Sequence, residues 1–197
     1  MSSVRYVASS IRTDRLFLRP LERRDLDALH AVYSRPDVVR YLYQGTHSME
    51  DSRALLERKM SLRAIADDGD AAVFAIELLA SGVVIGDCML HLSSSTHLQG
   101  EIGFALHPDH HGHGYATEAG REMLRIAFDE LGLHRVTGRL EARNTASARV
   151  LERLGMRQEA HLVENEWVKD EWQSELVYAV LDREWRAARG VPESAES

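Results

Sequence analysis

The chain of 197 residues is 44% hydrophobic and 28% charged, which suits one domain with a sizeable core better than two. A formal charge of −7 excludes a basic face broad enough for duplex DNA or RNA, and no apolar run approaches the ~20 residues that span a bilayer. The single cysteine, Cys88, excludes an internal disulfide and a cysteine-based zinc site; with the opening MSSVRYVASSIRTDR, which lacks the apolar core of a signal peptide, it leads us to expect a cytoplasmic protein.

Residues 1–12 read as an N-terminal extension, 13–189 as one domain and 190–197 as a disordered tail. RLFLRPL (Arg15 to Leu21) alternates apolar and polar residues as a half-buried strand does, and Asp25 is placed to cap the helix LDALHAVYS. Pro36 opens a short helical piece, PDVVRYL, and YQGTHS reads as a turn. Ser48 with Asp51 begins the amphipathic helix MEDSRALLERKMSLRAIADD, expected to end at DDGD. The period then changes: AVFAIELL (Ala72 to Leu79), VVIGDCMLHL (Val83 to Leu92) and GEIGFALH (Gly100 to His107) are short, apolar and separated by turn residues, as three consecutive antiparallel strands are.

From Gly114 on, Ala119, Met123, Ile126, Ala127 and Leu131 share one helical face, with Gly132 as the stop. HRVTGRLE is a strand, and NTASARVLERLG is a helix from about Asn144 to Gly155. MRQEAHLVE and SELVYAVL bracket a charged hairpin, ENEWVKDEW, before the short helix DREWRAAR. This order describes a mixed α/β sheet with helices on its faces.

Between the third strand of the meander and the next helix lies HPDHHGHGYATEA (His107 to Ala119), which holds four of the ten histidines. His107, His110, His111 and His113 are too crowded to converge on one metal ion, and Pro108 and the glycines break the helical spacing of an HExxH site, so no metal is expected. A strand, a glycine-rich turn and a helix start instead gather unpaired N–H groups and the positive end of a helix dipole, where a phosphate is stabilised. The pattern is neither GxGxxG nor GxxxxGK[ST], so a Rossmann site and a P-loop are unsupported, and a turn that merely starts a helix stays open on these residues alone.

HHGHGYATEA resembles the acyl-CoA pyrophosphate loop of the GNAT superfamily of N-acetyltransferases: Gln or Arg, two residues, Gly, one residue, Gly or Ala. His111, Gly112, His113, Gly114, Tyr115 and Ala116 occupy those positions, followed by Thr117, and His111 departs from Gln/Arg. NTASARVLERLGM (Asn144 to Met156) resembles the NxxSxxxxxKxGF segment of the branch containing the ribosomal-protein N-terminal acetyltransferases, with Arg153 for the lysine and Met156 for the aromatic. EIGF and RTDRLFLRPL are also similar to that branch, and the likeness runs from about Thr13 to Trp185.

The resemblance implies an α/β (α+β) single-domain fold with a mixed, mostly antiparallel central sheet, helices on both faces and a splayed parallel strand pair, GEIGFALH and HRVTGRLE. It implies acetyl-CoA as co-substrate and an amine acceptor, with a homodimer among the implied assemblies. An amine that is protonated near neutral pH needs a base, for which Glu101 is the candidate; an exposed strand glutamate paired with a cation is the alternative. Main-chain groups at Phe104, Ala105 and Leu106 would polarise the thioester, Ser147 would protonate the leaving thiolate, and Asn144 would bind the pantetheine amide as well as cap its helix.

Cys88, alone on an apolar strand, reads as inert core rather than an acylated nucleophile. Acceptor choice is expected from the helices between Pro36 and Asp68 and the hairpin around Trp167 and Trp172, with Tyr41, Tyr43, Trp167 and Trp172 as candidates to line the groove and packing within the hairpin as the alternative for these aromatics. A protein or peptide N-terminal amine is the leading acceptor; a small amine (amino acid, polyamine or antibiotic), or a silent acyl-CoA-binding module, is the alternative. If the turn holds the diphosphate, Gly114→Val raises the dissociation constant for acetyl-CoA, because a branched Cβ crowds the anion and distorts the turn; an unchanged affinity by calorimetry would move the site elsewhere.

Overall fold

The structure, a computed structural model, describes residues 5–190; most of the tail expected at 190–197 lies outside the described residues. In chain order the elements are β1 (Tyr6–Val7), β2 (Ile11–Arg12), β3 (Leu16–Pro20), α1 (Leu26–Tyr33), α2 (Pro36–Val39), α3 (Met49–Ser61), β4 (Ala64–Ile65), β5 (Ala71–Leu78), β6 (Val84–Ser94) and β7 (Gln99–Leu106). They continue with α4 (Tyr115–Arg125), β8 (Arg135–Glu141), α5 (Thr145–Arg153), β9 (Arg157–Val168), β10 (Glu171–Leu181) and α6 (Asp182–Ala188).

The sheet has eight strands in the order β2-β3-β5-β6-β7-β8-β10-β9, and only β7 and β8 run parallel. The alternating pleat of β5, β6 and β7 sends apolar side chains to both faces. One set packs with α4, α5 and α6 around Phe74, Leu90, Met123, Leu124, Phe128 and Leu151; the other packs under α1 and α3 around Val73, Ala75, Leu29, Val32, Leu55 and Leu56. The fold is thus the α/β sandwich with a mostly antiparallel sheet that the element order and the resemblance implied.

Several local signals act as their chemistry dictates. The Asp51 N–H donates to Ser48 Oγ and the Ser48 N–H to the Asp51 carboxylate, a reciprocal cap on α3. Asn144 Oδ1 accepts the Ser147 N–H at the start of α5. Ala119, Met123, Ile126 and Ala127 are fully buried, though the helix widens at Ile126–Glu130 before it stops.

Two expectations need correction, the end of the helix begun at Ser48 and the role of Asp25. The helix begun at Ser48 ends at Ser61 rather than at DDGD, because Ala64 and Ile65 pair with Val7 and Tyr6; that tertiary pairing outweighs helix propensity. The charged hairpin expected around ENEWVKDEW is present: β9 and β10 pair through Trp167 and Trp172, and Lys169 and Asp170, both at positive φ, turn the chain. Asp25 flanks α1, but its carboxylate does not cap that helix; it accepts both Nη groups of Arg19 at 2.8 Å and the Glu22 N–H at 2.8 Å.

The Arg19–Asp25 pair is buried, as is a second polar cluster in which Lys59 Nζ donates to Tyr33 Oη and Asp87 Oδ1 while the Tyr33 hydroxyl donates to Asp87 Oδ2. Burial alone pushes the Asp25 carboxyl up; the Arg19 and Glu22 hydrogen bonds outweigh it and hold the pKa below the ordinary carboxylate value. A depressed folded-state pKa contributes stability that is present above the unfolded value of ~3.9 and lost as pH falls through the folded one. Asp25→Asn should therefore lower unfolding free energy by about 3 kcal/mol at pH ~7, since it leaves the buried guanidinium half-paired. The deficit should shrink below pH ~4, where wild type loses the same interaction; urea denaturation at both pH values measures it.

Candidate active site

Three registered pairs join β7 to β8: Gln99–Arg135, Gly100–Val136 and Glu101–Thr137, with the Thr137 hydroxyl donating to the Gly100 carbonyl at 3.2 Å. Beyond Glu101 the strands part, β7 staying on β6 as far as Leu106 and β8 staying on β10 as far as Glu141. Backbone groups of a strand point alternately to its two neighbours, so the half of those at 102–106 that face away from β6 have no strand opposite them. A cleft with exposed main-chain donors follows directly from the topology.

The chain leaves β7 through a tight turn at Pro108–His110 and enters α4 at Tyr115, passing Gly112 and Gly114 at φ of +79° and +81°. Such φ values suit glycine alone among common residues without strain. The first helical hydrogen bond runs from the Glu118 N–H to the Gly114 carbonyl, so the N–H groups just before it in the turn have no helical acceptor and point their partial charge at the cleft. Three of the histidines are engaged close by in the chain. His107 Nδ1 accepts the Asp109 N–H, His111 Nε2 donates to the Leu106 carbonyl, and His113 stacks on Tyr115 at 5.5 Å. Among the described residues no group of His, Cys, Asp and Glu could hold a metal ion.

A cavity of about 470 Å³ occupies the cleft and the mouth of the turn. Phe104, Ala105 and Leu106 of β7, His111, Gly112, Gly114, Tyr115, Ala116 and Thr117 of the turn and α4, and Asn144, Ser147 and Arg153 of α5 all line it. Thr117 Oγ1 is buried without a partner, a polar atom suited to an incoming acceptor. His113 does not line the cavity, because its ring turns back onto Tyr115. Glu101 also lies outside the lining, at the apex where the strands part. Arg149 lines the wall beside Arg153; the i, i+4 spacing of these two cations along α5 was the signal that would have found it.

On the α1/α3 side charges of both signs meet around Glu101. Glu101 shares the sheet face of Arg139 and Glu175, and Arg139 Nη2 donates to Glu175 Oε2 at 2.8 Å. Burial pushes the Glu101 carboxyl up; Arg139 and His91 pull it down and the Glu175 charge raises it, and the net pKa is above the ordinary glutamate value. Tyr41 lines the cavity with Asp37, Val38 and Leu42, whereas Tyr43, Trp167 and Trp172 do not. Tyr43 Oη donates to Glu166 at 2.8 Å, and Lys169 Nζ donates to the Val39 carbonyl at 2.6 Å, so the β9–β10 hairpin is fastened to α2. Trp167 and Trp172 form an exposed edge-to-face pair at 5.4 Å beside that fastening. Cys88 is fully enclosed and burial pushes its thiol up, which leaves no thiolate for acyl transfer.

Known proteins resemble the chain in sequence and in fold. An uncharacterised N-acetyltransferase of Bacillus subtilis, YnaD, is 31% identical over 89% of this chain and 98% of its own length. The crystal structure of a GNAT-family acetyltransferase from Bacillus anthracis superposes with a TM-score of 0.79 at 31% identity, covering 89% of this chain and 99% of that one. The spermidine N-acetyltransferase of Vibrio cholerae, solved with CoA and spermine, shares the fold at a TM-score of 0.72 and 22% identity, over 88% of this chain and 99% of its own. The family model of the acetyltransferase (GNAT) domain matches residues 15–157, a span that holds the cleft, the glycine turn and α5, and the chain belongs to the GNAT N-acetyltransferases.

Proposed function

We propose that the protein transfers the acetyl group of acetyl-CoA to the N-terminal amine of a protein or peptide by direct attack in a ternary complex. The observation that carries the donor side is the cleft beyond Glu101, which runs from unpaired β7 backbone to the N–H groups of the glycine turn. Extended pantetheine suits the strand gap, and the diphosphate suits the turn with Arg149 and Arg153 on the wall. In the step itself, Glu101 removes a proton from the ammonium directly or through a water, and the free amine forms the C–N bond. Main-chain donors near Ala105 carry the oxyanion, the C–S bond breaks, the thiolate takes a proton from Ser147, and the proton shed by the new amide nitrogen restores the Ser147 hydroxyl through solvent.

The peptide reading is supported by the exposed Trp167–Trp172 pair on the hairpin that Lys169 ties to α2, whose Asp37 and Val38 line the cavity. Aromatic surface beside a cavity mouth suits an acceptor that extends beyond its reacting amine. A second reading, a small polycation, is favoured by the carboxylates of Glu101, Glu166 and Glu175 on the acceptor side and by the spermine complex of the Vibrio relative.

Turnover of wild type against a panel of short peptides, their N-blocked forms and polyamines decides between these. Acetylation of free but not blocked N-termini supports the peptide reading; preference for polyamines overturns it. Glu101→Gln should lower kcat by about 10²-fold with little change in the acetyl-CoA KM. Because the base must be ionised, wild-type rate falls as pH drops through a pKa raised above the ordinary ~4.3, and the substitution removes that acid limb.

A further inference from the structure

Arg15, which precedes β3 and is distant in sequence from the glycine turn, makes its contacts directly behind that turn. Its Nη1 donates to the His113 carbonyl at 2.8 Å, its Nε donates to Glu118 Oε2 at 2.7 Å, and its guanidinium lies 4.9 Å from the centre of the Tyr115 ring. Glu118, in the first turn of α4, also accepts the Arg15 N–H at 2.9 Å and the Thr13 hydroxyl at 2.6 Å. A Cβ on Gly114 would stand 3.5 Å from Arg15 Nη2, so the guanidinium covers the back of the turn; the loss expected of Gly114→Val then comes from the strained φ of +81° and from this crowding, not from a Cβ set against the anion. Arg15 does not itself line the cavity.

From these contacts we infer that Arg15 is a positioning residue for the donor diphosphate, acting through the backbone of the turn. This rests on the reading of the turn as the diphosphate site. In a trans peptide the C=O and the following N–H point in opposite directions, so anchoring the His113 carbonyl behind the turn aims the Gly114 N–H at the cleft. A second effect is electrostatic. Glu118 stands at a helix start where an anion is to bind, and Arg15 neutralises its charge there.

The residue that would otherwise bring a cation to the turn is absent: position 111 is histidine, and its ring is engaged with the Leu106 carbonyl. Arg15 therefore braces the turn from its second face with a fork geometry that His111, bonded to Leu106, does not supply from the first. A planar guanidinium is required, since one group must reach a carbonyl, a carboxylate and an aromatic face together.

The test compares two donors, acetyl-CoA and acetyl-pantetheine, which carries the same thioester without the diphosphate. Arg15→Ala should raise the acetyl-CoA KM about tenfold at unchanged kcat, the loss expected for charge-assisted hydrogen bonds, while kcat/KM with acetyl-pantetheine stays within about twofold of wild type. Arg15→Lys, which restores charge without the fork, should recover less than half of the affinity lost. Equal losses with both donors, or an unchanged acetyl-CoA KM, overturn the assignment. Calorimetry on the wild type keeps the two readings apart: no binding of acetyl-CoA overturns the donor site itself.

Discussion

Glu101 and Thr137 are the last residues at which β7 and β8 share a ladder, and the rest of the site depends on that parting. Each strand is committed elsewhere: β7 holds β6 along its whole length and β8 holds β10, so the gap opens without leaving either strand unsupported. The glycine turn follows the end of β7 and α5 follows the end of β8, which sets both on the rim of one cavity. A single local departure from sheet pairing thereby places backbone donors, a helix start and a second helix around a common space.

Charge on the cavity wall is uneven. Arg149 and Arg153 stand on the α5 side near the glycine turn, and Asp37 is the carboxylate in the lining. Glu101, outside that lining, has Arg139, His91 and Glu175 for charged neighbours. The cationic wall suits an anionic ligand at the turn. The Tyr33–Lys59–Asp87 cluster joins α1 and α3 to β6, and Asp87 stands opposite Ala105 in the ladder, so these helices are tied to the strand that borders the cavity.

What could be read from the sequence was what short-range physics decides. Period-2 alternation revealed β3, short apolar runs between turn residues revealed β5, β6 and β7, a reciprocal Ser–Asp cap revealed α3, and Asn144 announced α5. The turn residues 111–117 were legible because glycine at positive φ has few alternatives, and all of them but His113 line the cavity. The misses share a cause: their partners are remote. Ala64 and Ile65 leave the helix for Tyr6 and Val7, Asp25 turns to Arg19 instead of its own helix, and Arg15 meets Glu118 across more than a hundred residues. Periodicity and capping carry no information about such meetings. His111 shows the converse case, in which the motif position is legible but the ring bonds back to the strand it follows.

Cys88 sits on β6 beneath the cleft, wholly enclosed and held in its uncharged form. It is also the chain's sole cysteine, so the folded protein offers no thiol to its surroundings. Reagents that trap or cross-link an exposed thiol find none on it while the fold persists. Any accessible thiol that accumulates during turnover belongs to liberated coenzyme A, and the catalyst is chemically silent to the reagents that count it.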